Sequence, residues 1–177
     1  MKQAMRFHVY IAMSLDGYVA TPNGDVQWLE PFNGCDYGYE KFIASIDTIV
    51  IGRVTYEQSL AFGEWPYKGN RVIVHSSRLL DDLPPDTELW EGTTAELVTH
   101  LRERPQGKDV WLIGGPRSIE SFAELGAVDV YDVFVMPVLL GDGIPLFQAS
   151  TRQTCLKLVS SETYDNGVVR LVYEPVR

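Results

Sequence analysis

Thr48-Ile49-Val50-Ile51-Gly52-Arg53-Val54-Thr55 reads as a short, continuously apolar strand that stops at a glycine and turns at once into a helical segment. An apolar run without polar alternation fits a strand covered on both faces, the habit of a parallel sheet. The same grammar returns in Val110-Trp111-Leu112-Ile113-Gly114-Gly115-Pro116-Arg117-Ser118, and Arg71-Val72-Ile73-Val74 supplies another buried strand. Upstream, Phe7 to Met13 is a β-rich run interrupted by Asp16-Gly17. Thr94 to Arg104 carries Leu97, Val98 and Leu101 at helical spacing, with Thr93 or Thr94 as the N-cap and Pro105 as the stop. Ile119, Phe122 and Ala123 mark a further helix, closed by Gly126. The last third changes to long strands over Asp129–Val138, Thr154–Tyr164 and Val168–Tyr173, the last two joined through Asp165-Asn166-Gly167. The expected architecture is α/β: a mostly parallel sheet with flanking helices and an antiparallel C-terminal edge.

A chain of 177 residues suits one domain over 1–177. With 45 % hydrophobic and 22 % charged residues it has the composition of a globular protein, not of a disordered one. The net charge of −9 disfavours nucleic acid and anionic membrane as partners, though a few arginines can reverse the sign in one pocket. No apolar run reaches membrane-spanning length, and no signal peptide is expected from Met1 to Met13. Cys35 and Cys155 make no disulfide framework, which points to a reduced, cytoplasmic protein. His8, His75 and His100 lack ligand spacing, so no metal is expected. Neither GxGxxG, a Walker loop nor a GxSxG elbow occurs.

Three strand ends share one chemical feature. Gly52-Arg53-Val54-Thr55 and Gly114-Gly115-Pro116-Arg117-Ser118 each let the backbone turn closely and open a helix whose first amides have no helical partner. Each also places an arginine in the first helical turn, where the helix dipole alone disfavours it, so an anion is expected in front. Ser76-Ser77-Arg78 follows Val72 to His75 with two hydroxyls and a guanidinium. Ligands of open α/β sheets bind at the carboxyl ends of strands, where all three clusters fall. Taken singly, each is an ordinary turn. Together they point to a phosphorylated ligand.

Five segments in order then carry a resemblance: Ile11-Ala12-Met13-Ser14-Leu15-Asp16-Gly17-Tyr18-Val19-Ala20, Ile51 to Glu57, Val74-His75-Ser76-Ser77, Leu112-Ile113-Gly114-Gly115 and Met136 to Phe147. The chain resembles the dihydrofolate-reductase-like proteins over roughly residues 6 to 174, and most closely the C-terminal reductase domain of bifunctional riboflavin-biosynthesis enzymes. The resemblance implies a mixed, mostly parallel eight-stranded sheet with an antiparallel C-terminal hairpin and NADPH across the carboxyl ends. It implies that the Ala12 backbone meets the nicotinamide carboxamide, that Gly52, Arg53 and Thr55 hold phosphates, and that Ser76, Ser77 and Arg78 surround the adenosine 2′-phosphate. Gly114, Gly115, Arg117 and Ser118 would cradle the pyrophosphate. The residues agree with NADPH over NADH, since hydroxyls and arginine, and no carboxylate, directly follow His75. One departure is Pro116, which removes an amide from the usual glycine triplet. The zinc-deaminase pattern of the bifunctional enzymes is missing.

On the substrate side, ungapped counting from Gly52 within the resemblance reaches Asp36 as the candidate acid. Asp is also a good helix cap, and that is its favoured reading here. Glu40, one turn on, and Trp28, a potential wall for a flat ring, are weaker substrate candidates. The implied activity is NADPH-dependent reduction of a pterin- or pyrimidine-like heterocycle. The alternatives are the riboflavin-pathway 5-amino-6-(5-phosphoribosylamino)uracil reductase and a nucleotide-binding module without turnover. A homodimer is expected, because the apolar run Val133–Leu140 with Pro137 falls where the antiparallel edge should begin.

Overall fold

The computed structural model describes residues 5–104, 107–150 and 152–177. Its centre is an eight-stranded sheet. The strands in chain order are β1 (Phe7–Ser14), β3 (Ile46–Gly52), β4 (Arg71–His75), β5 (Thr87–Trp90), β6 (Asp109–Gly114), β7 (Val130–Met136), β9 (Leu156–Thr163) and β10 (Val169–Pro175). Two short strands, β2 (Tyr18–Ala20) and β8 (Ile144–Pro145), pair separately beside it. The sheet order is β5-β4-β3-β6-β1-β7-β10-β9. Every neighbouring pair from β5 to β7 is parallel, and β10 returns antiparallel against both β7 and β9.

The helices are α1 (Tyr39–Ala44), α2 (Arg53–Ala61), α3 (Thr94–Arg102) and α4 (Pro116–Glu124), with a 3-10 segment at Gln27–Phe32. Strand alternation sorts them onto two faces. Phe7 and Val9 of β1, with Val110 and Leu112 of β6, pack against Leu97 and Leu101 of α3 and Ile119 and Phe122 of α4. The opposite face presents Ile49, Ile51, Val72, Val74 and Trp111 to Phe42 of α1 and Tyr56 of α2. Farther along that face, Phe134, Met136 and Val168 meet Trp28, Leu29 and Phe32 of the 3-10 segment.

Local signals account for the better-defined helices. Thr93 and Glu96 form a reciprocal capping box at the start of α3. That helix ends at Arg102, and the expected stop, Pro105, lies outside the described residues. Pro116 occupies the first turn of α4. Gly167, at φ 85°, makes the expected tight turn between β9 and β10.

One expectation is corrected. The run from Val133 does not form a margin of the sheet: β7 lies between β1 and β10 and is hydrogen-bonded on both sides. Its continuous apolar character is that of an interior parallel strand, and Pro137 falls just beyond its end. The outer strand on this side is β9, which is exposed along its whole length.

Candidate active site

The chain builds β3, β4 and β5 outward on one side, then brings β6 back between β3 and β1. That reversal is a topological switch point, where open parallel sheets leave a crevice beyond their strand ends. Here the crevice is deepened by a splay. β1 pairs with β7 as far as Ser14, but its pairing with β6 covers Phe7–Val9 alone. On the opened side the Trp111 indole donates to the Tyr10 carbonyl at 3.2 Å. Beyond Val9 the two strands part, so that Tyr10–Met13 is paired on the β7 side and a slit in the ladder opens toward β6.

The first turns of α2 and α4 meet beyond the ends of β3 and β6. A methyl group built on Gly52 would stand 3.3 Å from the Gly114 carbonyl oxygen, and one on Gly115 would stand 3.3 Å from Thr55 Oγ1. Glycine at both positions is what lets the two turns approach. Gly114 has φ 121°, a conformation reserved for glycine, and the Gly114–Gly115 peptide is cis. Gly52 and Gly115 are the N-caps, and neither helix receives a side-chain capping bond. The N-termini of both helices, with their dipoles, therefore lie at one junction. Pro116 subtracts one amide from the α4 set without closing the turn.

The polar residues around this junction are disposed unequally. Arg53 is held by Glu57 one turn on, at 2.7 and 2.8 Å. Thr55 and Ser118 are half-buried beside the glycines, whereas Arg117 is exposed. Ser76, at the end of neighbouring β4, is buried, and its hydroxyl closes a local turn by accepting from the Arg78 amide and donating to the Arg78 carbonyl. Ser77 and Arg78 are exposed beyond it. All three glycine or serine clusters thus gather at one end of the sheet.

The substrate-side candidates fall into different environments. Asp36 is exposed, and its Oδ1 accepts from the Tyr39 amide at 2.8 Å, so it braces the start of α1. Glu40 is exposed in the first turn of α1. Trp28 packs with the Phe134, Met136 and Val168 cluster, its indole N–H buried and unpartnered. Asp16 is absorbed by structure: it accepts from the Ser14 hydroxyl and from the Leu140 and Gly141 amides, pinning the segment after β7. Those bonds, the Ser14 one foremost, hold its carboxyl below the usual range.

Sequence reading missed the aromatic packing and the ion pair around Tyr10. Tyr10 stacks on Phe42 at 4.1 Å and meets Phe134 edge-on at 4.9 Å. Burial, with Asp132 adding to it, raises the Tyr10 hydroxyl well above its ordinary value, so it remains a neutral donor. Beneath lies Asp132, 4 % exposed, bound by Arg170 through Nε at 2.8 Å and Nη2 at 2.6 Å. The signal was present: one carboxylate inside the apolar run Val130–Met136, and one arginine inside the β-rich run Val168–Tyr173.

Comparison with known proteins agrees with this architecture. The model of the RibD C-terminal domain matches residues 8–170. The Bacillus subtilis (strain 168) protein YwjB is 33 % identical over 167 residues, covering 90 % of this chain and 92 % of YwjB. The Mycobacterium tuberculosis (strain ATCC 25618 / H37Rv) riboflavin biosynthesis protein RibD is 30 % identical over 145 residues, 73 % of this chain but 41 % of RibD. A Shewanella sp. PV-4 crystal structure, described provisionally as a riboflavin biosynthesis protein, superposes with a TM-score of 0.88 at 27 % identity, covering 98 % of this chain and all of that one.

Proposed function

The chain belongs to the RibD C-terminal domain family, a reductase family of riboflavin-pathway type, and from that premise we propose that it is an NADPH-dependent reductase of a small heterocyclic substrate. The observation that carries the reading is the meeting of two helix N-termini at Gly52, Gly114 and Gly115, at the end of the sheet where β1 and β6 part. A dinucleotide suits that shape: an elongated ligand whose pyrophosphate needs amide donors and whose flat end needs a narrow apolar slot. In this reading Arg53, Thr55, Arg117 and Ser118 surround the phosphates, the Ala12 backbone orients the nicotinamide, and Ser77 with Arg78 takes the 2′-phosphate. Buried Ser76 shapes their turn. NADPH supplies the hydride; the protein orients, excludes water and handles a proton. Asp36 keeps one carboxylate oxygen free of the Tyr39 amide and is the proposed proton donor.

NADPH oxidation dependent on an added pyrimidine or pteridine tests the reading. Tryptophan quenching by NADPH without oxidation across such a panel would reduce the protein to a nucleotide-binding module. Arg53→Ala should weaken NADPH binding about tenfold, the worth of one charge-assisted bond to phosphate, with little change in melting temperature. Its exposed pair with Glu57 contributes little to folding. Unchanged affinity with a large loss of stability would return Arg53 to a structural role.

We further propose that the protein is a homodimer formed through the outer surface of β9. This eight-residue strand is exposed throughout, and it carries Leu156, Leu158 and Val159 at 39, 48 and 52 % exposure. Uncovered apolar edges invite pairing, and a symmetric partner is the commonest cover. Light scattering should give twice the chain mass, and Leu158→Lys should halve it. A monomer mass for the unmodified protein at all concentrations refutes the dimer.

A further inference from the structure

Arg53 and Arg117 occupy equivalent places, in the first turns of the two helices that meet at Gly52 and Gly115. Their surroundings differ. Four residues after Arg117 comes Ser121, whose hydroxyl is spent on the Ser118 carbonyl at 2.8 Å, and Arg117 stands exposed. Four residues after Arg53 comes Glu57, and both of its carboxylate oxygens accept from Arg53 Nη1, at 2.7 and 2.8 Å. Among the described residues, Arg53 Nε and Nη2 make no hydrogen bond to the protein.

As a helix stabiliser this pair is badly placed. A cation in the first turn opposes the dipole of α2, and a basic residue four positions before an acidic one is the weaker order of the two. The side chains are 28 and 50 % exposed, so solvent screens most of their attraction. Its geometry serves another purpose. Helical side chains lean toward the N-terminus, so Glu57 reaches back over the first turn and meets Arg53 there, beside the junction with α4. The guanidinium is a flat, rigid fork, and fixing one nitrogen fixes the plane of the remaining donors.

We propose that Glu57 is a positioning residue for the cofactor: it holds Arg53 by Nη1 and leaves Nε and Nη2 aimed at a phosphate. This rests on the reductase reading above and adds to it a residue that does not itself touch the ligand. An unbraced arginine must give up its rotamer freedom when the phosphate binds, and Glu57 takes up that cost in the free protein. The carboxylate also repels the phosphate, so its net benefit exists only while Arg53 is there to be held.

The test is a double-mutant cycle read by fluorescence titration with NADPH, on the unmodified protein, Glu57→Ala, Arg53→Ala and the double variant. Glu57→Ala should weaken NADPH binding about threefold, the cost of ordering one long side chain on binding. Introduced beside Arg53→Ala, the same substitution should cause no loss and should tighten binding slightly, since an unpaired carboxylate only repels the anion. Glu57→Gln, which keeps an oxygen acceptor at the same reach, should bind NADPH more tightly than Glu57→Ala. Melting temperatures of the Glu57 variants should lie within about 2 °C of the unmodified protein. Equal weakening by Glu57→Ala in both backgrounds means that the residue acts through the helix, and overturns the proposal. No change, or tightening, with Arg53 present also overturns it, as does a Glu57→Gln variant no better than Glu57→Ala. Each of these leaves the reductase reading intact so long as Arg53→Ala alone weakens binding. Failure of NADPH to bind the unmodified protein overturns the reductase reading itself.

Discussion

Replacing Asp132 by alanine will destabilise the protein by about 3 kcal/mol, because it leaves the Arg170 guanidinium partly buried without its main partner. Asp132 lies in the middle of β7, hydrogen-bonded on both flanks to β1 and β10, so the strand cannot move aside to let water in. Arg170 also sits 5.3 Å over the Phe134 ring, which helps to fix its position. Glu162, 58 % exposed and 3.8 Å away, replaces little of the lost attraction. Urea unfolding should show the midpoint falling by roughly 1–2 M, given an m-value of about 2 kcal/mol/M. The double variant Asp132→Leu with Arg170→Met should recover much of that loss, since the pair's desolvation is removed along with its attraction. A midpoint shift below about 0.5 M for Asp132→Ala would show that the pair does not organise this face.

Gly114→Ala should damage both stability and cofactor binding. At φ 121° an L-residue is strained by about 1–3 kcal/mol, and the Gly114 carbonyl already lies against the Gly52 turn. Relief of that strain must shift the first turn of α4 relative to α2, the junction proposed to hold the pyrophosphate. Melting temperature should fall by several degrees, and NADPH affinity by at least about tenfold. Full affinity in a variant of unchanged melting temperature would mean that the two turns are not a joint binding element.

The parts of this structure that were legible in the sequence are those written locally. Apolar runs ending in glycine marked β3 and β6 and the start of α2 and α4. Asn166-Gly167 marked the final hairpin. The short elements were not legible: β5 is four residues preceded by Pro84-Pro85, and α1 is six residues opened by Gly38 in a left-handed conformation. Neither is long enough to show a period. Strand order was the larger omission. Nothing near Val133 records that β10 will return to cover β7, so a buried strand read as a margin. Likewise the slit depends on where β1 and β6 part, a tertiary event that leaves no pattern in either strand. The aromatic packing of this face stayed hidden because its rings come from Tyr10, Tyr37, Tyr67, Trp111 and Phe134, brought together only by folding.

The central claim is that the three strand-end clusters form one NADPH site, and the most direct measurement is a pair of fluorescence titrations with NADPH and NADH. The account predicts saturable quenching by both and a dissociation constant at least about tenfold lower for NADPH, from one or two charge-assisted bonds between the 2′-phosphate and the Ser77–Arg78 segment. Equal dissociation constants, or no binding of either cofactor, would contradict it.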